Sequence, residues 1–257
     1  MRLIVGGDSY IGSALYDLWS KEGVACKAST RRELLCRPDR LLIDLEKRIW
    51  PARLKDYSLA ILCAGIQDVS VCENYVEYTR KVNVEGVLAL AGELSRNGTS
   101  LYLLSSTQVF DGVEPFLKTN AKLSPVTEYG RQKADVESVL LSFPRGYTIR
   151  ITKVINEESS LIKNWRTDLE NHIPIYPFAD IYIAPVSVNK VVREISSIVS
   201  KTSGKRVHHI SGKKEISYAE LASRLCKKWG CDESLINPIS AEQECINLPT
   251  HSSLSTE

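Results

Sequence analysis

Residues 2–12 read Arg2 Leu3 Ile4 Val5 Gly6 Gly7 Asp8 Ser9 Tyr10 Ile11 Gly12. An apolar run of strand length passes directly into a glycine turn and then into an amphipathic segment, 14–19, which is the order strand, tight turn, helix. Glycines in such a turn let the backbone approach a pyrophosphate, whose charge is met by the free N–H groups and positive end of the helix. The opening of the chain therefore predicts a nucleotide site on an α/β unit.

Working outward, further strands are predicted at 24–28, at 41–43 ending in Asp44, at 58–64 before Gly65, at 100–104 and at 147–151. Continuous apolar runs of this kind suit strands buried on both faces of a parallel sheet. A long helical region is expected over 71–96, and another helix, carrying Tyr129, before the last of these strands. The alternation predicts an α/β fold of Rossmann type, a doubly wound parallel sheet, in which ligands bind at the carboxyl ends of the strands. Gly6, Asp44, Gly65 and Ser106 all fall at such ends.

The second half is less regular. A helix is expected over 159–171, Pro174, Pro177 and Pro185 interrupt the segment after it, and Ser187 caps a helix over 188–200. A strand at 207–210 precedes a capping box, Ser217 with Glu220, that opens a helix running to about Trp229. The last dozen residues are polar and are expected to fray. The reading gives a nucleotide-binding domain over 1–155, a small substrate-binding lobe built mainly from 156–257, and a return of 183–212 to the sheet.

With 257 residues, 43% of them hydrophobic, the chain can bury a substantial core. A formal charge of +2 without a Lys/Arg block gives no support to a nucleic-acid or anionic-membrane partner. Seven scattered cysteines lack paired spacing and read as reduced thiols of a cytoplasmic protein. His172, His208, His209 and His251 show no ligand spacing, so no metal is expected. No secretory h-region follows Met1, and no apolar run approaches the roughly 20 residues that span a bilayer.

The chemistry-bearing residues are Tyr129 and Lys133, four apart in Tyr129 Gly130 Arg131 Gln132 Lys133, with Ser106 lying 23 residues upstream of Tyr129. On a helix, positions i and i+4 share a face, so phenol and ammonium point into one cleft. A cation beside a phenol favours the phenolate and is expected to lower its pKa. A serine hydroxyl across the cleft would hold a substrate carbonyl oxygen for proton transfer.

Taken together these motifs resemble an extended short-chain dehydrogenase/reductase, most closely the dTDP-4-dehydrorhamnose reductase branch. The likeness is carried by Gly6 and Gly12, by Asp44 Leu45, by Cys63 Ala64 Gly65 and by Val82 Asn83 Val84 Glu85 Gly86. It continues through Ser105 Ser106 Thr107 Gln108 Val109 Phe110 Asp111 Gly112, residues 125–133, Ala184 Pro185 Val186 Ser187 Val188, and His209 Ile210 Ser211 Gly212 with the helix after it. The resemblance implies hydride transfer from a nicotinamide to a 4-keto nucleotide-linked sugar. It assigns proton donation to Tyr129, tuning of Tyr129 and the nicotinamide ribose to Lys133, and the carbonyl to Ser106. Cofactor contacts would come from Gly6, Ser9, Tyr10, Ile11, Gly12, Asp44, Leu45, Cys63, Ala64 and Gly65, and substrate contacts from Thr107 and Gln108. A homodimer is a family expectation.

A site for NAD wants a carboxylate about 20 residues after the glycine turn, whereas here the run is Ser29 Thr30 Arg31 Arg32. Guanidinium groups suit a 2′-phosphate, so Arg31 and Arg32 favour NADPH, with NADH as the alternative. Three positions depart from the family pattern: Ser9 stands in place of a second glycine, and Thr107 and Gln108 stand where the reductase branch carries Asp and Tyr. Sugar-nucleotide epimerisation or dehydration therefore stays open beside reduction. So does a non-catalytic subunit that keeps the fold, as the regulatory subunit of methionine adenosyltransferase does.

Overall fold

Side chains alternate across each central strand: Leu3 and Val5 enter one apolar cluster while Ile4, between them, enters another, and the same split separates Ala60 and Leu62 from Leu59 and Ile61. In a computed structural model, which describes residues 1–157, 159–201, 204–244 and 248–256, this pattern builds a sheet covered on both faces. Along the chain run β1 (Arg2–Val5), α1 (Tyr10–Lys21), β2 (Cys26–Thr30), β3 (Arg40–Leu42), β4 (Leu59–Leu62), α2 (Val69–Asn74), α3 (Val76–Arg80) and α4 (Val87–Arg96). Next come β5 (Ser100–Ser106), α5 (Glu128–Leu140), β6 (Gly146–Ile151), β7 (Val154–Ile155), α6 (Ser160–Glu170), β8 (Tyr182–Ile183), β9 (Val186–Ser187) and α7 (Val188–Ser200). The last elements are β10 (Val207–Ile210), β11 (Ile216–Ser217), α8 (Tyr218–Trp229) and β12 (His251–Ser252).

Seven parallel strands take the order β10, β6, β5, β4, β1, β2, β3. Helices α4 and α5 bury Leu90, Leu94, Val136 and Leu140 on one face, and α1 and α7 bury Leu15, Trp19, Val191 and Ile195 on the other. The strand order reverses direction between β1 and β4, so the crevice for a ligand opens at their carboxyl ends. A third cluster packs Ile162, Trp165 and Leu169 of α6 against Leu221, Ala222 and Leu225 of α8 and Ile183 of β8. Helix α8 begins as its capping box predicts, with Ser217 Oγ accepting from the Glu220 amide at 3.0 Å.

Two expectations need correction. The helical region over 71–96 is broken: Tyr75 leaves helical geometry at φ −128° and ψ 55°, and residues Lys81–Gly86 form a π turn. The π turn lets Asn83 reach sideways, accepting from the Ile66 amide at 2.7 Å and donating to the Ile66 carbonyl and to Gln132 Oε1 at 2.8 Å each. Of the tail expected to fray, residues 246, 247 and 257 lie outside the described residues, and 248–256 is instead docked. Its β12 pairs with β8 in parallel, Ser253 and Leu254 are buried, and Leu254 bridges to Leu117. Polarity misled the reading here, because the polar groups are spent internally: His251 Nδ1 lies 2.8 Å from Glu215, and Ser253 Oγ accepts from the Phe116 amide at 2.8 Å.

The docked tail also seals His209. Its Nδ1 lies 2.8 Å from the Ser255 carbonyl and its Nε2 lies 3.4 Å from Arg150 Nη1, and burial pushes its pKa down to about 4. The neutral ring is the form that fits, so its contribution is intact above the ordinary histidine pKa and is lost as pH falls from about 6.5 towards 4. Between pH 7.5 and pH 5 the loss is expected to reach about 2 kcal/mol. Urea unfolding at both pH values checks this, and His209→Gln, which does not titrate, should flatten the difference; an unchanged difference in that variant would place the sensitivity elsewhere.

Candidate active site

The turn after β1 is built for close approach. Gly6 sits at φ +94°, and a Cβ there would lie 2.6 Å from the Ala64 amide nitrogen, at the carboxyl end of the neighbouring β4. Ser9 does not crowd the turn, because its side chain folds back as the N-cap of α1: its Oγ accepts from the Gly12 amide at 3.1 Å and donates to the Gly6 carbonyl at 2.7 Å. The amides of Tyr10 and Ile11 lie in the first helical turn, where the helix itself supplies no carbonyl, and they and the positive helix end suit an anion.

Beside this turn opens a cleft of about 370 Å³. The turn contributes Gly6, Asp8 and Ser9, the end of β2 contributes Ser29, Thr30 and Arg31, and residues 43–46 beyond β3 form another wall. Ala64, Gly65, Ile66 and Val82 close it. Of the residues expected to hold a cofactor, Gly6, Ser9, Arg31, Asp44, Leu45, Ala64 and Gly65 line this cleft, whereas Tyr10, Ile11, Gly12, Arg32, Cys63, Tyr129 and Lys133 do not. Cys63 turns into the core, where burial pushes its thiol up to about 12. Arg32 is turned to Asp8, with Nη2 at 3.3 Å from Oδ2. Sequence reasoning missed Asp8, Ser29, Thr30, Ile43, Glu46, Ile66 and Val82; the position of Ser29 and Thr30 at a strand's carboxyl end was the available signal.

The second group of residues gathers at the end of β5. Ser106 closes that strand, and its Oγ accepts from the Gln108 amide at 3.2 Å, capping the short turn Thr107–Val109. Helix α5 is pressed onto this turn: a Cβ on Gly130 would stand 2.0 Å from the Gln108 carbonyl oxygen, a distance only glycine tolerates. Thr127 caps α5 by accepting from the Gly130 amide at 3.1 Å, and its hydroxyl donates to Gln108 Oε1 at 3.2 Å. Of the two expected substrate contacts, Thr107 is buried in the turn and Gln108 is half-buried with its amide oxygen engaged.

This seating places Tyr129 and Lys133 side by side, both buried. Lys133 Nζ donates to the Leu104 carbonyl at 3.1 Å and stands 5.8 Å from the centroid of the Tyr129 ring. The expected lowering of the tyrosine pKa is not found. Burial pushes the Tyr129 phenol well above its ordinary range and draws Lys133 downward. The physical reason is that the ammonium is held by a backbone carbonyl over the ring, while both groups have lost water. Tyr129 is thus a neutral phenol at neutral pH, the form that donates a proton.

The opposite side of α5 is braced by residues that sequence reasoning did not assign. Gln132 donates to Thr79 Oγ1 at 2.9 Å and accepts from Asn83, while Glu128 pairs with Arg80 at 3.0 Å and Arg131 at 2.9 Å. Among the described residues, no cluster of His, Cys, Asp and Glu is arranged to hold a metal ion, and no helix is long and apolar enough to cross a membrane.

The model of the RmlD substrate binding domain matches residues 1–257, the whole chain. The chain belongs to the RmlD substrate binding domain family. Its fold is that of a dTDP-4-dehydrorhamnose reductase, RfbD ortholog, from Clostridium acetobutylicum, with a TM-score of 0.87, 19% identity, and coverage of 100% of this chain and 90% of that one. A dTDP-4-dehydrorhamnose reductase from Bacillus anthracis, solved in complex with NADP, gives a TM-score of 0.86 at 18% identity with the same coverage. Among curated proteins, methionine adenosyltransferase 2 subunit beta from Xenopus laevis is 23% identical over 259 residues, which is 93% of this chain and 75% of that protein. In this member of the RmlD family the glycine turn, the β1/β4 crevice and the Tyr129–Lys133 helix are therefore parts of one shared fold.

Proposed function

We propose that this protein is an NAD(P)H-dependent reductase of a keto nucleotide-sugar, with residues 1–155 and the returning 183–212 segment holding the cofactor and the remainder forming a substrate lobe. The observation that carries the reading is the placement of Ser106, Tyr129 and Lys133 around the carboxyl end of β5, with a dinucleotide-type crevice at the switch point two strands away. The residues present fit the cofactor: Gly6 and Ser9 bring the turn to the wall of the cleft, where the first amides of α1 suit a pyrophosphate, and Arg31 lines the cleft where a 2′-phosphate would lie. NADPH is the cofactor proposed, with NADH also accepted.

The reduced nicotinamide, when bound, supplies the hydride. Ser106 holds the carbonyl oxygen of the sugar, and Tyr129, a neutral phenol, passes its proton to that oxygen as it becomes an alkoxide. Lys133, anchored to Leu104, keeps a positive charge beside the phenol ring as the phenolate forms. The substrate class is a 4-keto nucleotide-sugar, and the protein acts without nucleic acid or membrane in the cytoplasm, as a homodimer.

A second reading is a cofactor-binding regulatory subunit without turnover. It is favoured by the likeness to methionine adenosyltransferase 2 subunit beta along 93% of the chain and by the burial of Tyr129, 8% exposed. One experiment separates the two: fluorimetric titration with NADPH and NADH, followed by a panel of 4-keto nucleotide-sugars while cofactor oxidation is monitored. Saturable binding with substrate-dependent oxidation is expected. Binding with no oxidation across the panel would favour the regulatory reading, and the absence of binding would remove both.

A further inference from the structure

The carboxylate that an NAD site carries at the end of its second strand is absent here, since β2 ends in Thr30. A carboxylate nevertheless reaches that corner from the glycine turn. Asp8 Oδ2 accepts from Thr30 Oγ1 at 2.7 Å, and Oδ1 accepts from Arg40 Nη1 at 2.8 Å. The Asp8 side chain is 24% exposed and Arg40 is 18% exposed, so the group is fixed at the edge of the cleft rather than waving in solvent. Arg32 closes on the same carboxylate, which removes one of the two guanidiniums that the sequence offers to a 2′-phosphate. Asp8, Thr30 and Arg31 all line the cleft, with Asp44 and Glu46 on the wall beyond β3, so the fixed Asp8 carboxylate and the Arg31 guanidinium face the same space.

We infer that Asp8 is the specificity-determining residue for the adenosine ribose: its carboxylate accepts from a free 2′-hydroxyl, opposes a 2′-phosphate and withholds Arg32 from it, so that the protein discriminates little between NADPH and NADH. This rests on the cofactor reading given above. Arg31 attracts the 2′-phosphate and Asp8 opposes it, and the two effects offset each other. Removing the charge of Asp8 leaves less to oppose Arg31 and frees Arg32. A like charge at about 6 Å in a half-solvated site is worth roughly a factor of ten in binding.

The test is a fluorimetric titration of the wild-type protein, Asp8→Asn and Arg31→Ala with NADPH and with NADH, reading the ratio of the two dissociation constants. Asp8→Asn keeps an acceptor for Arg40 and turns its Nδ2 donor towards Thr30 Oγ1, and its thermal unfolding is measured alongside; Asp8→Ser carries the same expectation should the asparagine variant prove unstable. The ratio is expected to move about tenfold towards NADPH in the Asp8 variants and towards NADH in Arg31→Ala. An unchanged ratio in folded Asp8 variants, with wild-type protein binding both cofactors, would overturn the inference and leave the cofactor reading standing. Wild-type protein that binds neither cofactor would overturn both.

Discussion

Tyr129→Phe is expected to lower turnover by roughly 100- to 10,000-fold, the range that a positioned proton donor contributes, while cofactor affinity stays nearly unchanged. The substitution removes one oxygen from a ring that is 8% exposed, leaving its packing and the seating of α5 intact. The donor's raised pKa sets the pH dependence. Since burial holds the phenol protonated, reduction should show no loss of rate from Tyr129 ionisation until well above pH 10, the ordinary tyrosine value. A descending limb near pH 7 in the kcat profile would contradict that assignment. Turnover retained in the purified phenylalanine variant would take Tyr129 out of the mechanism altogether. Lys133, drawn downward by the same burial, makes the contrast sharper. In the proposed mechanism the pair keeps the phenol neutral and the ammonium close, so neither group needs an exposed, ionised tyrosine.

How far the sequence reveals this arrangement differs from element to element. The apolar strand β1 is found at its observed limits, because burial on both faces leaves a dense signal. Helices α7 and α8 are found through their serine caps, which mark a boundary chemically. The π turn at Lys81–Gly86 carries no such mark, since what creates it is Asn83 bonding to Ile66 across 17 positions. The docked tail is hidden for the same reason: its partners, Tyr182, Leu117 and Phe116, lie 70, 137 and 137 residues before the tail groups that meet them. At the site, residue types at i and i+4 place Tyr129 and Lys133 on one face, but only three-dimensional contact shows Lys133 bonded to Leu104 instead of the phenol. Asp8 was passed over because its partners, Thr30 and Arg40, are 22 and 32 residues away.

Helix α5 carries a second charge pair on which the site depends, and breaking it is expected to have the largest effect on stability. Glu137, fully buried one turn after Lys133, receives Arg150 Nη2 at 2.8 Å and Nε at 3.1 Å, and Arg150 is itself 4% exposed in its side chain. The guanidinium also donates to the Thr119 carbonyl at 3.2 Å and lies over the Phe110 ring at 5.1 Å, so α5, β6 and the segment after β5 meet at one group. Removing one partner strands the other charge in the interior. Glu137→Ala is therefore expected to destabilise the fold by about 3–5 kcal/mol, lowering Tm by roughly 10 °C for a chain of this size. Replacing both, as Glu137→Leu with Arg150→Met, should recover most of that loss, because neither desolvated charge remains. The comparison of the single and double variants by thermal unfolding decides the matter; a double variant as unstable as the single one would mean that Arg150 matters for its bond to Thr119 and its seat on Phe110 more than for charge. The Glu137 charge also holds up the pKa of Lys133 against burial. The double variant should consequently be stable yet release the Lys133 proton at lower pH, which separates the pair's contribution to the fold from its contribution to the site.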